Sequence, residues 1–421
     1  MIIYPSIGQY HESLVSFKAN INTPEVAAGT PIPAGPIDFV HSSGQFAVVY
    51  KIKLNGNYHG LRLWLKEVPN SKRIYREIEN YIKKLPLDYF LDYKLYDAIN
   101  GISVKIDRKW EKFGFIFMDW IQGQNLYSFI NDNIHQRAEL EHAAELFLRM
   151  AKDLHVNKIS HGDLQGKNIL FFRDSSSSGH PLKIKLVDYD SMYVPGLAGL
   201  DDTIIGLAEY QSPYRKDLGE LSPVSDYFSE LVIYLSLKTY AECPQLWTKD
   251  QADHLLFVDN DFSDPFHSKI FYDLRIKKYR NSDETANLAK TLMYMATVRD
   301  IRMLLPLEKI LEMVRNGQYP PKSFDSQLVK AQPTMSSSSS RPLTSGSAVP
   351  NSQRPWSTIP GRQPTRSTLV CSACQSIITD PSLIYCPYCF SAIYGMKTCQ
   401  NCGASNVPRN ARYCPQCRYK Q

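Results

Sequence analysis

The chain has 421 residues, of which 43% are hydrophobic and 21% are charged, so most of it is expected to fold into about two to three domains with at least one sizeable core. No stretch approaches the roughly 18 to 20 uninterrupted apolar residues that a membrane helix needs, and the N-terminus lacks the basic flank of a secretory signal, so we expect a cytoplasmic protein without a membrane segment. The formal net charge of +6 comes from the C-terminal tail, where nine basic residues and one acidic residue follow residue 340.

The first part of the chain is predicted to be rich in strands. Residues 1–35, which become rich in proline, glycine and alanine, form an N-terminal extension to which we assign no structure. Two alternating apolar segments, at 46–54 and 59–68, are separated by Asn-Gly-Asn and predict a β-hairpin. Apolar residues on one face of 71–85 predict a helix, and the run at 113–120 predicts a buried strand.

The second part of the chain is predicted to be mainly helical. An amphipathic segment at 135–158 and a strongly apolar one at 224–240 predict helices, and 283–316 holds at least one more. Two short strands, at 168–172 and 183–189, lie between the first two helices and are joined by a serine-rich loop. A small β-rich half followed by a larger helical half predicts an α+β fold.

A linker and a cysteine-rich module end the chain. Residues 321–368 combine a run of serines with scattered proline and glycine, which predicts disorder. Eight cysteines then form four Cys-x-x-Cys pairs, in two sets with the same internal spacing: Cys371, Cys374, Cys386 and Cys389, then Cys399, Cys402, Cys414 and Cys417. A tetrahedral zinc ion takes four thiolates, and a Cys-x-x-Cys turn supplies two of them. We therefore predict two structural zinc sites in 369–421, with redox-active dithiols as the alternative; the pattern resembles the double zinc ribbon.

The basic charge of the tail also admits a function in binding nucleic acid. Zinc held by four thiolates carries a net negative charge, so two such sites would cancel part of the tail's positive charge. A closed four-cysteine site leaves no open position for catalysis. The favoured role of the tail is therefore a structural platform for a protein partner.

A group of polar residues in the middle of the chain has the composition of a phosphoryl-transfer site. The segment His161-Gly-Asp-Leu-Gln-Gly-Lys-Asn168 precedes an apolar strand, and Asp188 follows a second strand, 25 residues after Asp163. Phosphoryl transfer needs a carboxylate to orient the attacking hydroxyl, metal ligands to bridge the phosphates, and positive charge near the transferred group. Asp163, Asn168 and Asp188 supply the first two.

These segments resemble the catalytic loop and the metal-binding motif of the protein-kinase superfamily. The resemblance covers about residues 36–318. It implies a bilobal kinase-like fold, with a small β-rich N-lobe at 36–125 and a larger helical C-lobe at 126–320.

The resemblance also implies roles for individual residues. Asp163 would be the catalytic base, and Asn168 and Asp188 would hold Mg²⁺. Lys167 would supply the charge that faces the phosphates. Asp226, at the start of the apolar helix, corresponds to the buried aspartate that braces the catalytic loop in this family.

Other segments of the chain match the ATP-binding segments of the family more weakly and follow in the same order along the sequence. Residues 42–50 resemble a glycine-rich loop with one of its three glycines kept, and 118–120 resemble the gatekeeper and the hinge whose backbone holds adenine. The residues implied to contact ATP are Gly44, Val49, Gly60, Arg62, Met118, Asp119, Trp120 and Leu170. Residues 206–213 resemble the end of an activation segment, and Gly162 in place of the usual arginine predicts no control by activation-loop phosphorylation.

Arg62 stands where the family usually carries a lysine. The resemblance implies that Arg62 pairs with Glu77 of the following helix. Arginine keeps the charge but is larger and planar, so the two residues are not interchangeable at a tight phosphate site. The chain also resembles a bacterial subfamily that carries arginine here, which favours a tolerated variant over an inactive site.

The sequence thus predicts an ATP- and Mg²⁺-dependent protein kinase of the serine/threonine type, with a zinc-ribbon tail that recruits a partner. Three alternatives stay open: a pseudokinase that binds nucleotide without turnover, a small-molecule phosphotransferase of the kind that shares HGDLxxxN, and a nucleic-acid-binding protein. Related bacterial kinases often sit beside a phosphatase and a von Willebrand A protein, so the resemblance suggests these as partners of the tail.

Overall fold

Helices and small antiparallel sheets make up the protein. The computed structural model describes most of the body and four short strands of the tail: residues 3–35, 38–174, 176–249 and 253–330, and 369–370, 377–378, 396–397 and 407–408. The chain divides into two compact units, Met1–Ser336 and Ser337–Gln421. The mixture of helix and strand confirms the α+β class. None of the described helices is both long and apolar enough to cross a lipid bilayer.

The first unit carries its strands before residue 187, and only helices follow them in the part of this unit that the structure describes. Its strands are Thr30–Pro31 (β1), His41–Ser43 (β2), Ala47–Leu54 (β3), Asn57–Trp64 (β4), Tyr93–Tyr96 (β5), Ile102–Ile106 (β6), Lys109–Phe113 (β7), Phe115–Asp119 (β8), Gln124–Asn125 (β9), Ile169–Arg173 (β10) and Leu182–Leu186 (β11). Its helices are Ile7–Val15 (α1), Phe17–Asn20 (α2), Pro24–Ala27 (α3), Ser71–Ile82 (α4), Leu126–Asn133 (α5), Arg137–Val156 (α6), Tyr227–Glu242 (α7), Asp259–Ser263 (α8), Lys269–Arg275 (α9), Asp283–Met295 (α10), Leu307–Arg315 (α11) and Ser323–Lys330 (α12).

The largest sheet has the strand order β1, β3, β4, β8, β5, and β2 also pairs with β3; every pair is antiparallel. The predicted hairpin forms its centre, with Leu54 opposite Asn57. Its turn residues Asn55 and Gly56 both have positive φ, 50° and 83°, the conformation that a two-residue hairpin turn requires. Helix α4 follows β4 and buries Ile74 and Ile78, as its periodicity predicts.

The N-terminal extension is an integral part of the first unit. Helices α1 to α3 place Tyr10, Leu14 and Phe17 in a hydrophobic cluster with the buried side chains of β3, β4 and β6. The Tyr10 hydroxyl donates a hydrogen bond to the Trp64 carbonyl, 2.8 Å away. Residues 3–35 therefore pack on the sheet, although their sequence has no periodic signal strong enough to predict their structure.

The helical half of the first unit is built on α6 and α7, which pack against each other. Helix α7 is buried on almost every side, which explains why its sequence is apolar without a polar face. Strands β9, β10 and β11 form a small antiparallel sheet beside these helices. Residues 163–168 lie between α6 and β10, and residues 187–191 lie between β11 and α7. Both segments line one cavity.

The predicted linker begins too early. Residues 321–330 were expected to be disordered, but Ser323–Lys330 is a helix, and Phe324 and Leu328 are buried. The Phe324 ring lies 5.3 Å from that of Tyr294 and 5.8 Å from that of Phe266. These two apolar residues join the core cluster of the helical half, and this burial stabilises a helix in an otherwise polar segment. The rest of the predicted linker lies outside the described residues.

The second unit contains two short antiparallel hairpins. Leu369–Val370 (β12) pairs with Ile377–Ile378 (β13), and Met396–Lys397 (β14) pairs with Val407–Pro408 (β15). In the sequence, the first cysteine pair of each predicted set falls between two paired strands. All eight cysteines of the predicted zinc sites lie outside the described residues.

Candidate functional site

A cavity of about 600 Å³ opens between the large sheet and the helical half. The β2–β3 turn and β4 line it from one side, and the segments 163–168, 187–191 and 203–207 line it from the other. Asp163, Asn168 and Asp188, which are widely separated in the sequence, all face this cavity. The tertiary structure thus brings together the three residues that the sequence singled out for phosphoryl transfer.

Buried Asp226 fixes the backbone of the loop that carries Asp163. Its carboxylate accepts hydrogen bonds from the amides of His161 and of Gly162, the latter at 2.8 Å. Burial raises the pKa of Asp226 to about 6. The brace that the resemblance implied for this residue is confirmed.

Glycine is required at position 162 by both conformation and space. Gly162 has φ of +78°, and a Cβ there would lie 2.2 Å from the Ser191 carbonyl oxygen. An arginine at this position would have to displace the backbone beside Asp190. The departure from the usual arginine therefore has a local structural cause.

The Asp163 carboxyl is held by two amide side chains. Asn168 Nδ2 donates to Asp163 Oδ2 at 3.0 Å and to the Asp163 carbonyl at 2.9 Å, and Gln165 Nε2 donates to Oδ2 at 2.9 Å. Burial raises the pKa of Asp163 to about 7, against the effect of the Gln165 hydrogen bond. A carboxyl with a pKa near neutrality is well matched to accepting a proton from a hydroxyl.

Asn168 and Asp188 have the donor chemistry of a magnesium site. Because Asn168 uses its NH₂ group on Asp163, its carbonyl oxygen is left as an acceptor. The Asp188 side chain is 46% exposed, and its φ of +69° turns it into the cavity. Amide and carboxylate oxygens are the ligands that Mg²⁺ prefers, so these two residues fit the predicted ion.

Arg62 lines the cavity as predicted, but its partners differ from those expected. Its Nη2 lies 3.0 Å from Asp188 Oδ1 and 2.5 Å from Asp190 Oδ2. Among the described residues it forms no ion pair with Glu77, whose carboxylate lies against Gly196. The predicted Arg62–Glu77 pair is therefore wrong, because a closer carboxylate on the 188–190 segment takes the guanidinium.

Four of the residues predicted to contact ATP line the cavity and four do not. Those that line it are Gly44, Val49, Arg62 and Met118. Gly60 lies behind them, where a Cβ would come within 3.1 Å of Met118 and 3.2 Å of Val49. Leu170 does not line this cavity and belongs to the β9–β10–β11 sheet.

The predicted hinge residues use their amides within the protein. The Asp119 amide donates to the Asp92 carbonyl at 2.9 Å, and the Trp120 amide donates to the Tyr58 carbonyl at 3.3 Å. Neither side chain lines the cavity. These two amides thus have partners within the protein, and the expectation that backbone groups of 118–120 hold adenine stays a prediction.

Lys167 lies at the rim of the cavity. Its Nζ is 2.5 Å from Asp253 Oδ1, and both side chains are more than half exposed. Such an exposed pair contributes little free energy and exchanges readily with other partners. Lys167 is therefore placed where it can turn to an anionic ligand, as the resemblance implied.

Two tyrosines line the cavity, of which the sequence singled out Tyr189 but not Tyr75. Tyr189 is buried between the sheet and the loop, where its hydroxyl donates to the Leu186 carbonyl at 2.8 Å and accepts from the Leu91 amide at 2.9 Å. Tyr75 of α4 lies under Arg62, with the guanidinium carbon 5.7 Å from its ring centroid. Aromatic residues at helical spacing usually indicate core packing, so no sequence signal separated Tyr75 from its neighbours.

A second group of chemically capable residues lies outside the cavity. His11, Asp38 and His41 bring possible metal-ligand atoms within 4.8 Å of one another, with His11 Nδ1 3.5 Å from Asp38 Oδ1. His11 comes from α1, whereas Asp38 and His41 flank the start of β2. Because His11 is far in sequence from Asp38 and His41, the histidines do not show the short sequence spacing that is typical of metal ligands.

Comparison with known proteins assigns no family to this chain: no protein-family model matches it, and no curated protein sequence matches it significantly.

Proposed function

We propose that the first unit is an ATP- and Mg²⁺-dependent protein kinase of the bacterial serine/threonine type, with a bilobal kinase-like fold. The observation that carries the proposal is the convergence of Asp163, Asn168 and Asp188 on one cavity, with Asp163 buried and its pKa near 7. The order of the large sheet, with α4 inserted between β4 and β5, supports the kinase-like arrangement of the N-lobe. The helical half then corresponds to the C-lobe.

In this function each residue has a role that follows from its surroundings. Asp163 accepts the proton of the attacking hydroxyl, since burial raises its pKa to about 7. Asn168 and Asp188 would hold Mg²⁺, which would supply the positive charge that neutralises the phosphates. Arg62 and Lys167, which both line the cavity, supply further positive charge.

The segment at 203–213 supports a protein substrate over a small molecule. Gly206, with φ of +77°, brings this segment against Asp163, where a Cβ would lie 2.4 Å from Oδ1. The Tyr210 hydroxyl is 2.6 Å from that of Tyr127, which anchors the segment on α5. An ordered platform beside the base is what a kinase needs to present a peptide hydroxyl.

A pseudokinase is the second candidate, and two observations favour it. Arg62 is held by Asp188 and Asp190, and the amides of Asp119 and Trp120 are already hydrogen-bonded. In that function the cavity would bind nucleotide, and no phosphate would be transferred.

For the tail we propose two structural zinc sites on the eight cysteines and a role in recruiting a protein partner. The equal spacing of the two cysteine sets and the two short hairpins support a double zinc ribbon. A phosphatase and a von Willebrand A protein remain the partners suggested by the resemblance. Binding to nucleic acid is the less favoured alternative.

Magnesium-dependent phosphate transfer from labelled ATP tests the kinase proposal. We expect wild type to label itself or a generic protein substrate, and Asp163→Ala to reduce the rate by about a hundredfold or more. Arg62→Ala should weaken the reaction, whereas Asp132→Ala, an exposed carboxylate on α5, should not change it. If wild type transfers no phosphate and is indistinguishable from Asp163→Ala, the chain is not an active kinase, and retained nucleotide binding would then identify the pseudokinase.

A further inference from the structure

Asp190 occupies the place beside Arg62 that was expected for Glu77. We propose that Asp190 is the positioning residue that holds the Arg62 guanidinium toward the phosphates of the bound nucleotide, and that Glu77 does not share this role. The inference deepens the proposed kinase function and rests on it for the identity of the ligand. It assigns to the 188–190 segment a task that the resemblance gave to helix α4.

The contact between Arg62 and Asp190 is short and almost completely buried. Arg62 Nη2 and Asp190 Oδ2 are 2.5 Å apart, and the two side chains are 4% and 5% exposed. A buried charge that loses its partner is strongly unfavourable. The position of the Asp190 carboxylate therefore determines the position of the guanidinium. Asp188 also contacts the same nitrogen at 3.0 Å, but its side chain is 46% exposed and is needed for the metal.

Helix α4 contributes an aromatic surface to Arg62. The guanidinium carbon lies 5.7 Å from the ring centroid of Tyr75 and 5.4 Å from that of Trp64, within the range of cation–π interactions. Glu77, two residues further along α4, points to Gly196. The guanidinium therefore contacts one ring on β4, one ring on α4 and the carboxylates of the 188–190 segment, without a carboxylate from α4.

The guanidinium has one nitrogen without a partner in the described part of the protein. Arg62 Nη1 is buried and has no hydrogen-bond partner among the described residues, which is costly for a charged donor. Arg62 also lines the cavity. A phosphate is the anion that a guanidinium binds best, so a nucleotide in this cavity is the ligand that we assign to Arg62.

The backbone explains why a side chain is tolerated at position 190. The protein-kinase motif that residues 188–190 resemble usually has Phe-Gly where this chain has Tyr189-Asp190. Asp190 is not among the residues with positive φ, whereas Asp188 is, at 69°. An aspartate therefore fits at position 190 without strain. The larger arginine and the added carboxylate form a complementary pair, as a lysine and a glycine could not.

Kinetics of the full-length protein separate the two carboxylates. Asp190→Asn should raise the KM for Mg-ATP by about tenfold or more, because the guanidinium loses its orientation. Glu77→Gln should stay within about twofold of wild type, and so should Asp261→Asn, a largely buried carboxylate on α8 that lies far along the chain from the site. The inference is overturned if Glu77→Gln raises the KM and Asp190→Asn does not.

A double-mutant cycle on thermal stability keeps the test decisive if Asp190→Asn folds poorly. Arg62→Met combined with Asp190→Asn should lose much less stability than the sum of the two single changes, because the pair is removed together. Arg62→Met combined with Glu77→Gln should be additive. Additive behaviour in the Asp190 cycle would overturn the pairing. The stability measurement needs no turnover, so it tests the Arg62–Asp190 pair by itself. Failure of the kinase proposal would instead appear as a wild-type protein that transfers no phosphate.

Discussion

At the scale of single residues, the chemistry of the cavity depends on what surrounds Asp163. Burial raises its pKa to about 7, and hydrogen bonds from Gln165 and Asn168 favour the ionised form. Gly206 lets the neighbouring segment approach to a distance that no side chain would permit. The same aspartate on an exposed turn would have a pKa near 4 and would be a much weaker base.

The Gln165 hydrogen bond gives a test of this account. Gln165→Ala removes a donor to the ionised carboxylate, so the pKa of Asp163 rises further. The acidic limb of the pH profile of kcat/KM, which reports the free enzyme and should rise through about pH 7 in wild type, should then move up by roughly half a unit to one unit.

The control for this test is Gln124→Ala, which removes a glutamine that donates to Asp132 on the surface. It should leave the pH profile in place. A profile that is identical in Gln165→Ala and wild type would show that another group controls the acidic limb.

At the scale of elements, three helices of the helical half are joined by a buried histidine. His155 of α6 lies 2.7 Å from Glu230 of α7 through Nε2 and 2.8 Å from Glu308 of α11 through Nδ1. Burial opposes a charge on this imidazole, but the two carboxylates outweigh it and raise the pKa of His155 to about 9. Both ring nitrogens donate in the charged form, which satisfies each carboxylate at once.

This triad predicts a dependence of stability on pH. The folded-state pKa of about 9 lies above the unfolded value of 6.5, so the stabilisation is complete below about pH 6.5 and is lost as the pH rises through 9. His155→Gln should lower the free energy of unfolding at pH 6 by on the order of 2 kcal/mol relative to wild type, and the difference should shrink toward pH 9.

Urea unfolding at a series of pH values measures this difference, and the matched control is His142→Gln. His142 lies on the same helix but is exposed, so its substitution should not alter the pH dependence. A constant difference between wild type and His155→Gln from pH 6 to 9 would mean that the imidazole is uncharged in the folded protein.

At the scale of the whole molecule, the chain consists of two units that carry different chemistry. The unit Met1–Ser336 contains the cavity and its residues, and the unit Ser337–Gln421 contains eight of the nine cysteines. The ninth, Cys243, is buried at the end of α7. Short segments with two-residue strands have little core of their own, so metal would supply much of their stability.

Metal analysis tests the composition of the tail. The purified full-length protein should contain two equivalents of zinc, and Cys371→Ser or Cys399→Ser should each remove about one of them. Cys243→Ala, in the first unit, should leave the zinc content unchanged. A chain that carries no zinc and forms disulfides on mild oxidation would favour the redox alternative for the cysteine pairs.

The sequence by itself determined the α+β class, the main hairpin and the long helices, and it singled out Asp163, Asn168 and Asp188, which line one cavity in the folded chain. These features depend on hydrophobic periodicity and on short motifs, which are local properties of the chain. The helical prediction at 224–240 and the brace by Asp226 succeeded for the same reason, since a buried helix and its first residue are adjacent in sequence.

Only the tertiary structure decided which charges meet. Arg62 is 126 residues from Asp188 and 128 from Asp190, and the choice between these partners and Glu77 depends on distances that no local pattern encodes. The packing of residues 3–35 on the sheet and of Phe324 in the helical half is also non-local, because each needs a surface formed by distant segments. Burial then set the pKa of Asp163, since desolvation is a property of the folded protein and not of the motif.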